Sequence, residues 1–360
     1  MTNPEQLAVD ILKRTDPFYK KLETLSFRFD QELTQPDPVI SIDGATISSR
    51  RYITAITGHS KAGKTGAVTA IIAGTLAKPG DIVETLGLQI KPNRDGLLTL
   101  HIDTEQSQYN HHKAIRNAFN RAHRSAAPDW FKSYLLRELS VKEKKQAIQL
   151  LLQTHNAEFG GVHIVLIDGV GDLVQSVNDE QECNELVLFL EQLAIRYNCP
   201  VVTILHLNPG SSVKSRGHLG SQMERKCESM LTILKDPDTE ISVLEGKLLR
   251  NAGGIPAIQF KYDADKGYHV MCGVVNREAE RALKLEMDEK EKFKNYNYYA
   301  QLFFSTGELK SADVIDKIKI AYNVKDRAAY KKMEEMKDLG IIEYTENQTY
   351  RYVGDEEIPF

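Results

Sequence analysis

An α/β fold, with a mostly parallel sheet between layers of helices, is predicted for this 360-residue chain by three features. The first is a series of short, almost wholly apolar strands separated by helix-like segments, the pattern of strands buried on both faces. The second is an unbroken G-x-x-x-x-G-K-T run, Gly58-His59-Ser60-Lys61-Ala62-Gly63-Lys64-Thr65, between one such strand and a helix of small residues. The third is an apolar strand ending in a single carboxylate, Ile164-Val165-Leu166-Ile167-Asp168. It would present that carboxylate at the sheet edge where α/β proteins bind ligands.

Composition agrees with a folded, water-soluble chain of more than one domain. Hydrophobic residues make up 41% and charged residues 27%, enough apolar surface to close a full core. The formal charge of −4 excludes a global basic field, so any nucleic-acid contact must come from a local patch. Cys183, Cys199, Cys227 and Cys272 form no C-x-x-C pair, which favours free thiols in a reducing compartment over a metal site. The start lacks a basic and apolar leader pattern and no apolar run reaches membrane-span length, so a cytoplasmic protein with no membrane partner is expected.

Taken in order, residues 1–36 read as a helical segment. Leu7, Ile11 and Leu12 share one face, and Asp16-Pro17 forms a cap and first-turn proline that restart the helix. A hairpin is predicted around Asp43-Gly44, flanked by 39–42 and 45–47. Strands follow at 51–57, 97–102, 163–167, 201–205 and 230–234, and antiparallel additions to one edge of the sheet at 257–262 and 267–271. This α/β domain is placed at 37–275. A charged linking helix is expected at 276–294. The last unit, 295–360, reads as helices at 298–304, 311–321 and 326–339 followed by a two-stranded hairpin, the winged-helix arrangement.

The glycine-rich run has the chemistry of a phosphate cradle. Its backbone N–H groups, from Gly58 through Gly66, can curl around a phosphate at a helix N-terminus. Lys64 would reach the β- and γ-phosphates and Thr65 would offer its hydroxyl to Mg²⁺, which points to a nucleoside triphosphate, ATP, with its magnesium ion. Asp168 is the partner such a loop needs for the metal shell. The residue after it is Gly169 rather than a glutamate, so the water-activating base must lie elsewhere. Glu105, in His101-Ile102-Asp103-Thr104-Glu105, ends the neighbouring strand and can orient a water for in-line attack; a surface carboxylate opening the next helix is the other reading. His206 ends the strand at 201–205, where it can sense the γ-phosphate. The loop 209–220 carries Lys214 and Arg216, suited to the phosphates of a single strand or to an idle surface turn. Lys247 and Arg250 end a later strand. They have no evident use in one subunit, but in a ring they could reach a neighbour's γ-phosphate. His111-His112 lies in a helix with no acidic or cysteine partner at ligand spacing.

Together these residues resemble the RecA-like ATPases, and most closely the RepA-type hexameric replicative helicases and related plasmid, phage and mobile-element ATPases. The resemblance covers roughly residues 37–272 and rests on the loop 58–65, Asp103-Thr104-Glu105, Ile167-Asp168, His206, and Lys247 with Arg250. It implies a RecA-like core, assembly into a homo-oligomer, hexameric as in that family, ATP at subunit interfaces, and single-stranded DNA held by central loops. A recombinase-like filament former or a nucleotide-gated DNA-loading module is compatible with the same residues. Lys61 maps to no family role, and the C-terminal unit, which could meet DNA or a replication partner, lies outside the shared core.

Overall fold

Alternate residues of the central strands supply opposite cores, which is why those strands are continuously apolar. In the strand Val162–Asp168, Ile164 and Leu166 join one hydrophobic cluster while Val165 and Ile167 join the other. The strand Val201–His206 divides in the same way, Val202 and Ile204 on one side and Val201 and Leu205 on the other. The structure, a computed structural model, describes residues 4–32, 35–208, 217–275 and 277–354. It contains two units, Met1–Val274 and Val275–Phe360.

The first unit begins with α1 (Pro4–Thr15) and α2 (Pro17–Leu25). Asp16 caps α2 as expected, accepting from the amides of Phe18 at 2.7 Å and Tyr19 at 3.1 Å. The hairpin of β1 (Pro38–Ile42) and β2 (Ala45–Ser49) turns at Asp43 and Gly44, both with positive φ, as a tight two-residue turn requires. Next come β3 (Ile53–Gly58), α3 (Lys64–Leu76), β4 (Gln89–Ile90), β5 (Leu98–Asp103) and α4 (Gln108–Arg121). They are followed by β6 (Phe131–Leu135), α5 (Val141–Phe159), β7 (Val162–Asp168), α6 (Glu180–Arg196) and β8 (Val201–His206). The unit closes with α7 (Gly217–Lys226), β9 (Ser229–Lys235), β10 (Ser242–Leu249), β11 (Ile258–Asp263) and β12 (Tyr268–Val274).

The main sheet has the order β12-β11-β10-β9-β3-β8-β7-β5-β6. The strands from β9 to β6 in that order pair in parallel, and β10, β11 and β12 add antiparallel strands at one end. Helices α3 and α4 pack on one face; α5, α6 and α7 pack on the other. The sheet thus brings the ends of β3, β5, β7 and β8 to one edge. Gly58 pairs with His206, and Asp103 with Asp168.

Two local differences from the sequence reading have simple causes. Strand β6 was not anticipated, because Phe131-Lys132-Ser133-Tyr134-Leu135 is a half-buried edge strand with polar residues. The loop expected over 209–220 is shorter, since α7 already starts at Gly217 and buries Leu219 and Met223 in the core.

The second unit holds α8 (Arg277–Phe303), α9 (Ser311–Tyr322), α10 (Asp326–Asp338), and a hairpin of β13 (Ile342–Tyr344) and β14 (Tyr350–Tyr352). The helices expected separately at 276–294 and 298–304 are one continuous α8. No proline or glycine interrupts the residues between them, so nothing forces a break. A separate core forms around Phe293, Val314, Ile318, Met333 and Met336.

Candidate nucleotide site

The loop between β3 and α3 is shaped by contacts that only glycine permits. At Gly63 the backbone has φ +94°, and a Cβ there would lie 2.8 Å from the Phe260 ring. A Cβ on Gly58 would lie 2.7 Å from the Ile233 carbonyl, and one on Gly66 would lie 2.8 Å from His269. Lys61 also takes a left-handed conformation, φ +63°, with its side chain exposed. Ser60 is exposed, His59 and Thr65 are half-buried, and Ala62 is buried against the core. The loop therefore presents backbone N–H groups at the start of α3, whose own dipole adds positive potential.

Lys64 is buried and turns back over the loop. Its Nζ donates to the carbonyls of Gly58 at 3.0 Å and His59 at 2.7 Å, and meets Nδ1 of His206 at 3.3 Å. Burial lowers its pKa, against the opposing pull of Glu105 and Asp168. On its other side, Nε2 of His206 lies 3.1 Å from both oxygens of Glu105. One tautomer satisfies every contact: Nδ1 accepts from Lys64 and the Nε2 proton is donated to Glu105. The hydrogen bond from His206 holds the Glu105 carboxyl below its ordinary range, outweighing burial. His206 thus bridges the loop lysine and the candidate base.

Asp168 ends β7 beside them, 5% exposed. Burial first, then the neighbouring Asp103 and Glu105 carboxylates, push its pKa up to about 7. A buried carboxylate among two others is short of positive charge, and a divalent cation fits that deficit. Asp168 and the Thr65 hydroxyl are the groups that would hold it. Among the described residues, no group of three or more His, Cys, Asp or Glu side chains is arranged to hold a metal ion by itself.

The remaining predicted residues are placed differently. Lys247 and Arg250 lie at the opposite end of the sheet from Gly58, since Leu249 pairs with Ser229, which pairs with Thr54 near the start of β3. Lys247 has a use within its own subunit: its Nζ bonds Glu224 at 2.5 Å. That corrects the premise that both cations lack a local role. Antiparallel β10 passes beside α7, a neighbourhood that sequence spacing does not show. Arg250 is exposed, and its Nη2 donates to the Arg225 carbonyl at 3.3 Å. Lys214 and Arg216 lie outside the described residues.

A pocket of about 180 Å³, missed in the sequence, adjoins the start of α3. Thr65, Gly66 and Thr69 form one wall, Lys113 and Asn117 of α4 another, and Tyr262, Tyr268 and His269 of β11 and β12 a third. Asn117 ties the walls together through the Gly267 carbonyl at 3.0 Å. Arg121, fully buried, stacks its guanidinium 4.4 Å from the Tyr268 ring centre. The available signal was the aromatic density of 262–269, but its spatial partner lies some two hundred residues earlier. A second cavity, about 330 Å³, opens between Glu105, His206 and the segment 171–178.

No family model matches the chain, and no curated protein matches it. Among solved structures it is similar to a KaiC-like protein from the hyperthermophilic archaeon Pyrococcus horikoshii OT3. The identity is 11% and the TM-score 0.46, over 67% of this chain and 100% of that one. No helix among the described residues is long and apolar enough to cross a membrane.

Proposed function

We propose that this chain is a Mg²⁺-dependent ATPase of the RecA-like kind, acting as a DNA-stimulated motor in the replication of a plasmid, phage or mobile element. The observation that carries the ATPase reading is the bridge Lys64–His206–Glu105, 3.3 and 3.1 Å long, above a glycine-shaped loop and beside Asp168. In this reading Lys64 leaves the Gly58 and His59 carbonyls for the β- and γ-phosphates. Thr65 and Asp168 would hold magnesium, which would supply charge neutralisation at the phosphates. Glu105 orients a water and accepts its proton as the water oxygen bonds the γ-phosphorus and the bond to ADP breaks. The pocket walled by Tyr262, Tyr268 and His269 takes the base and ribose, since it continues from Thr65 and Gly66. His206, already touching both Lys64 and Glu105, senses the γ-phosphate at the head of the segment carrying Lys214 and Arg216.

The DNA part rests on the family resemblance of these residues and on the basic character of that segment. A homo-oligomer, hexameric by the same resemblance, would complete the site with Arg250 from a neighbour. The second unit, with three helices and a hairpin, would serve as a winged helix for DNA or for a replication partner. Steady-state ATP turnover with and without single-stranded DNA, followed by a strand-separation assay, tests this reading. Stimulation with unwinding supports the motor; tight DNA binding with unchanged turnover replaces it with a nucleotide-gated loading module.

A further inference from the structure

The candidate base, in the turn after β5, does not stand alone. Asp103, two residues before Glu105 and 1% exposed, accepts the backbone amides of Glu105 at 3.1 Å and Gln106 at 3.0 Å on Oδ1. Those two bonds fix the turn that projects Glu105 toward His206. Its second oxygen, Oδ2, is 2.9 Å from Nδ1 of His111 on α4. The other side of that imidazole, Nε2, is 3.2 Å from Oγ of Ser133 on β6, and Ser133 Oγ is 2.8 Å from Nδ1 of His101. The two imidazoles stack with centroids 5.6 Å apart and planes 13° apart.

With both imidazoles neutral and Asp103 ionised, the chain of contacts has one proton order that satisfies every link. His101 Nδ1–H donates to Ser133, Ser133 O–H donates to His111 Nε2, and His111 Nδ1–H donates to Asp103. His101 is kept neutral, because burial drops its pKa to about 4. Burial also works to raise Asp103, but the bonds from His111 and the Gln106 and Glu105 amides outweigh it and hold the carboxyl below its ordinary range. An ionised Asp103 is the stronger acceptor for the two amides that set the turn.

We propose that His111 is a positioning residue for Glu105, acting through Asp103, and that Ser133 and His101 orient the His111 ring. This rests on the reading of Glu105 as the base for ATP hydrolysis. His111 touches no part of the nucleotide loop. Its loss therefore acts on turnover, leaving nucleotide binding in place.

The test is steady-state Mg²⁺-ATP hydrolysis by the full chain, with ATP affinity measured separately. For His111→Phe we expect kcat to fall by about ten-fold or more while KM stays within about two-fold, the signature of a misplaced catalytic group. Two shorter side chains separate positioning from packing, and they decide the matter even if His111→Phe fails to fold. In His111→Asn the amide nitrogen stands where Nδ1 stood and should restore most of the turnover. In His111→Gln it stands nearer Nε2, faces Ser133, and should not. Wild-type kcat in His111→Phe, or rescue by Gln and not by Asn, overturns the proposal. Glu105→Gln run in parallel separates the two layers. If it loses turnover while the His111 variants keep theirs, only the positioning role falls. If it hydrolyses ATP at the wild-type rate, the base assignment falls and the positioning role with it.

Discussion

The space above Gly169 is filled by Glu105: a Cβ on Gly169 would lie 2.6 Å from the Glu105 Cγ and would overlap the Thr104 hydroxyl. A glycine after Asp168 and a glutamate just past the end of the neighbouring strand are therefore one arrangement, because the Glu105 side chain, in the turn after β5, occupies the volume a residue at 169 would need. Gly169→Ala should displace Glu105. With φ at +94° it also carries backbone strain of about 1–2 kcal/mol. The expected result is a lower melting temperature and a fall in kcat of about a hundred-fold at little-changed ATP affinity. Calorimetry and steady-state kinetics on the same preparation check both parts.

The aromatic pocket yields a separate prediction about binding. Tyr268→Ala removes a ring held by Arg121, and a stacked base is worth about 1–3 kcal/mol. Affinity for ATP should drop by about ten-fold or more, while affinity for inorganic tripolyphosphate, which has no base, stays the same. Equal losses for both ligands would place the base elsewhere.

A pH dependence follows from His163, which is 3% exposed and bonds the Lys91 carbonyl at 2.8 Å. Burial lowers its pKa from 6.5 to about 4. Between those values the unfolded chain binds a proton that the folded chain refuses. Stability is therefore complete above about pH 6.5 and falls as pH drops toward about 4. At ~1.4 kcal/mol per unit the full effect is on the order of 3 kcal/mol. His163→Gln keeps a donor for the carbonyl but does not titrate, so its stability should fall less than the parent's over that range in denaturant titrations.

Subunit completion predicts complementation. Mixed preparations of Arg250→Ala and Lys64→Ala chains should recover ATP turnover that neither shows alone, because some mixed interfaces pair an intact Lys64 with an intact Arg250. Full activity in a monomeric chain would remove the trans role of Arg250. Lys247→Ala should cost stability besides, since it removes the ion pair with Glu224.

Much of this was legible in the chain, for physical reasons that differ by element. The central strands announce themselves because both faces are buried, and Gly58, Lys64, Asp168 and His206 sit at strand ends or in the loop whose place follows from those strands. The edge strand β6 was hidden by Lys132 and Ser133, and with it the link from Ser133 to His111, eight residues past Asp103. The antiparallel strands at 257–262 and 267–271 were legible as additions to one edge of the sheet, but not that this edge is β9, which is what brings Tyr262, Tyr268 and His269 to the start of α3. The Lys247–Glu224 bond was concealed for the same reason. The unbroken α8 was divided in the reading because its charged first part and aromatic second part differ in composition.

The most direct test of the account is Glu105→Gln. The change keeps the side chain's size and its contact with His206 but removes its capacity to take a proton. Binding of Mg²⁺-ATP should stay within a few-fold of the parent, and single-turnover hydrolysis should slow by about a hundred-fold or more. Hydrolysis at the parent rate by a chain that still binds ATP would contradict the assignment at its centre.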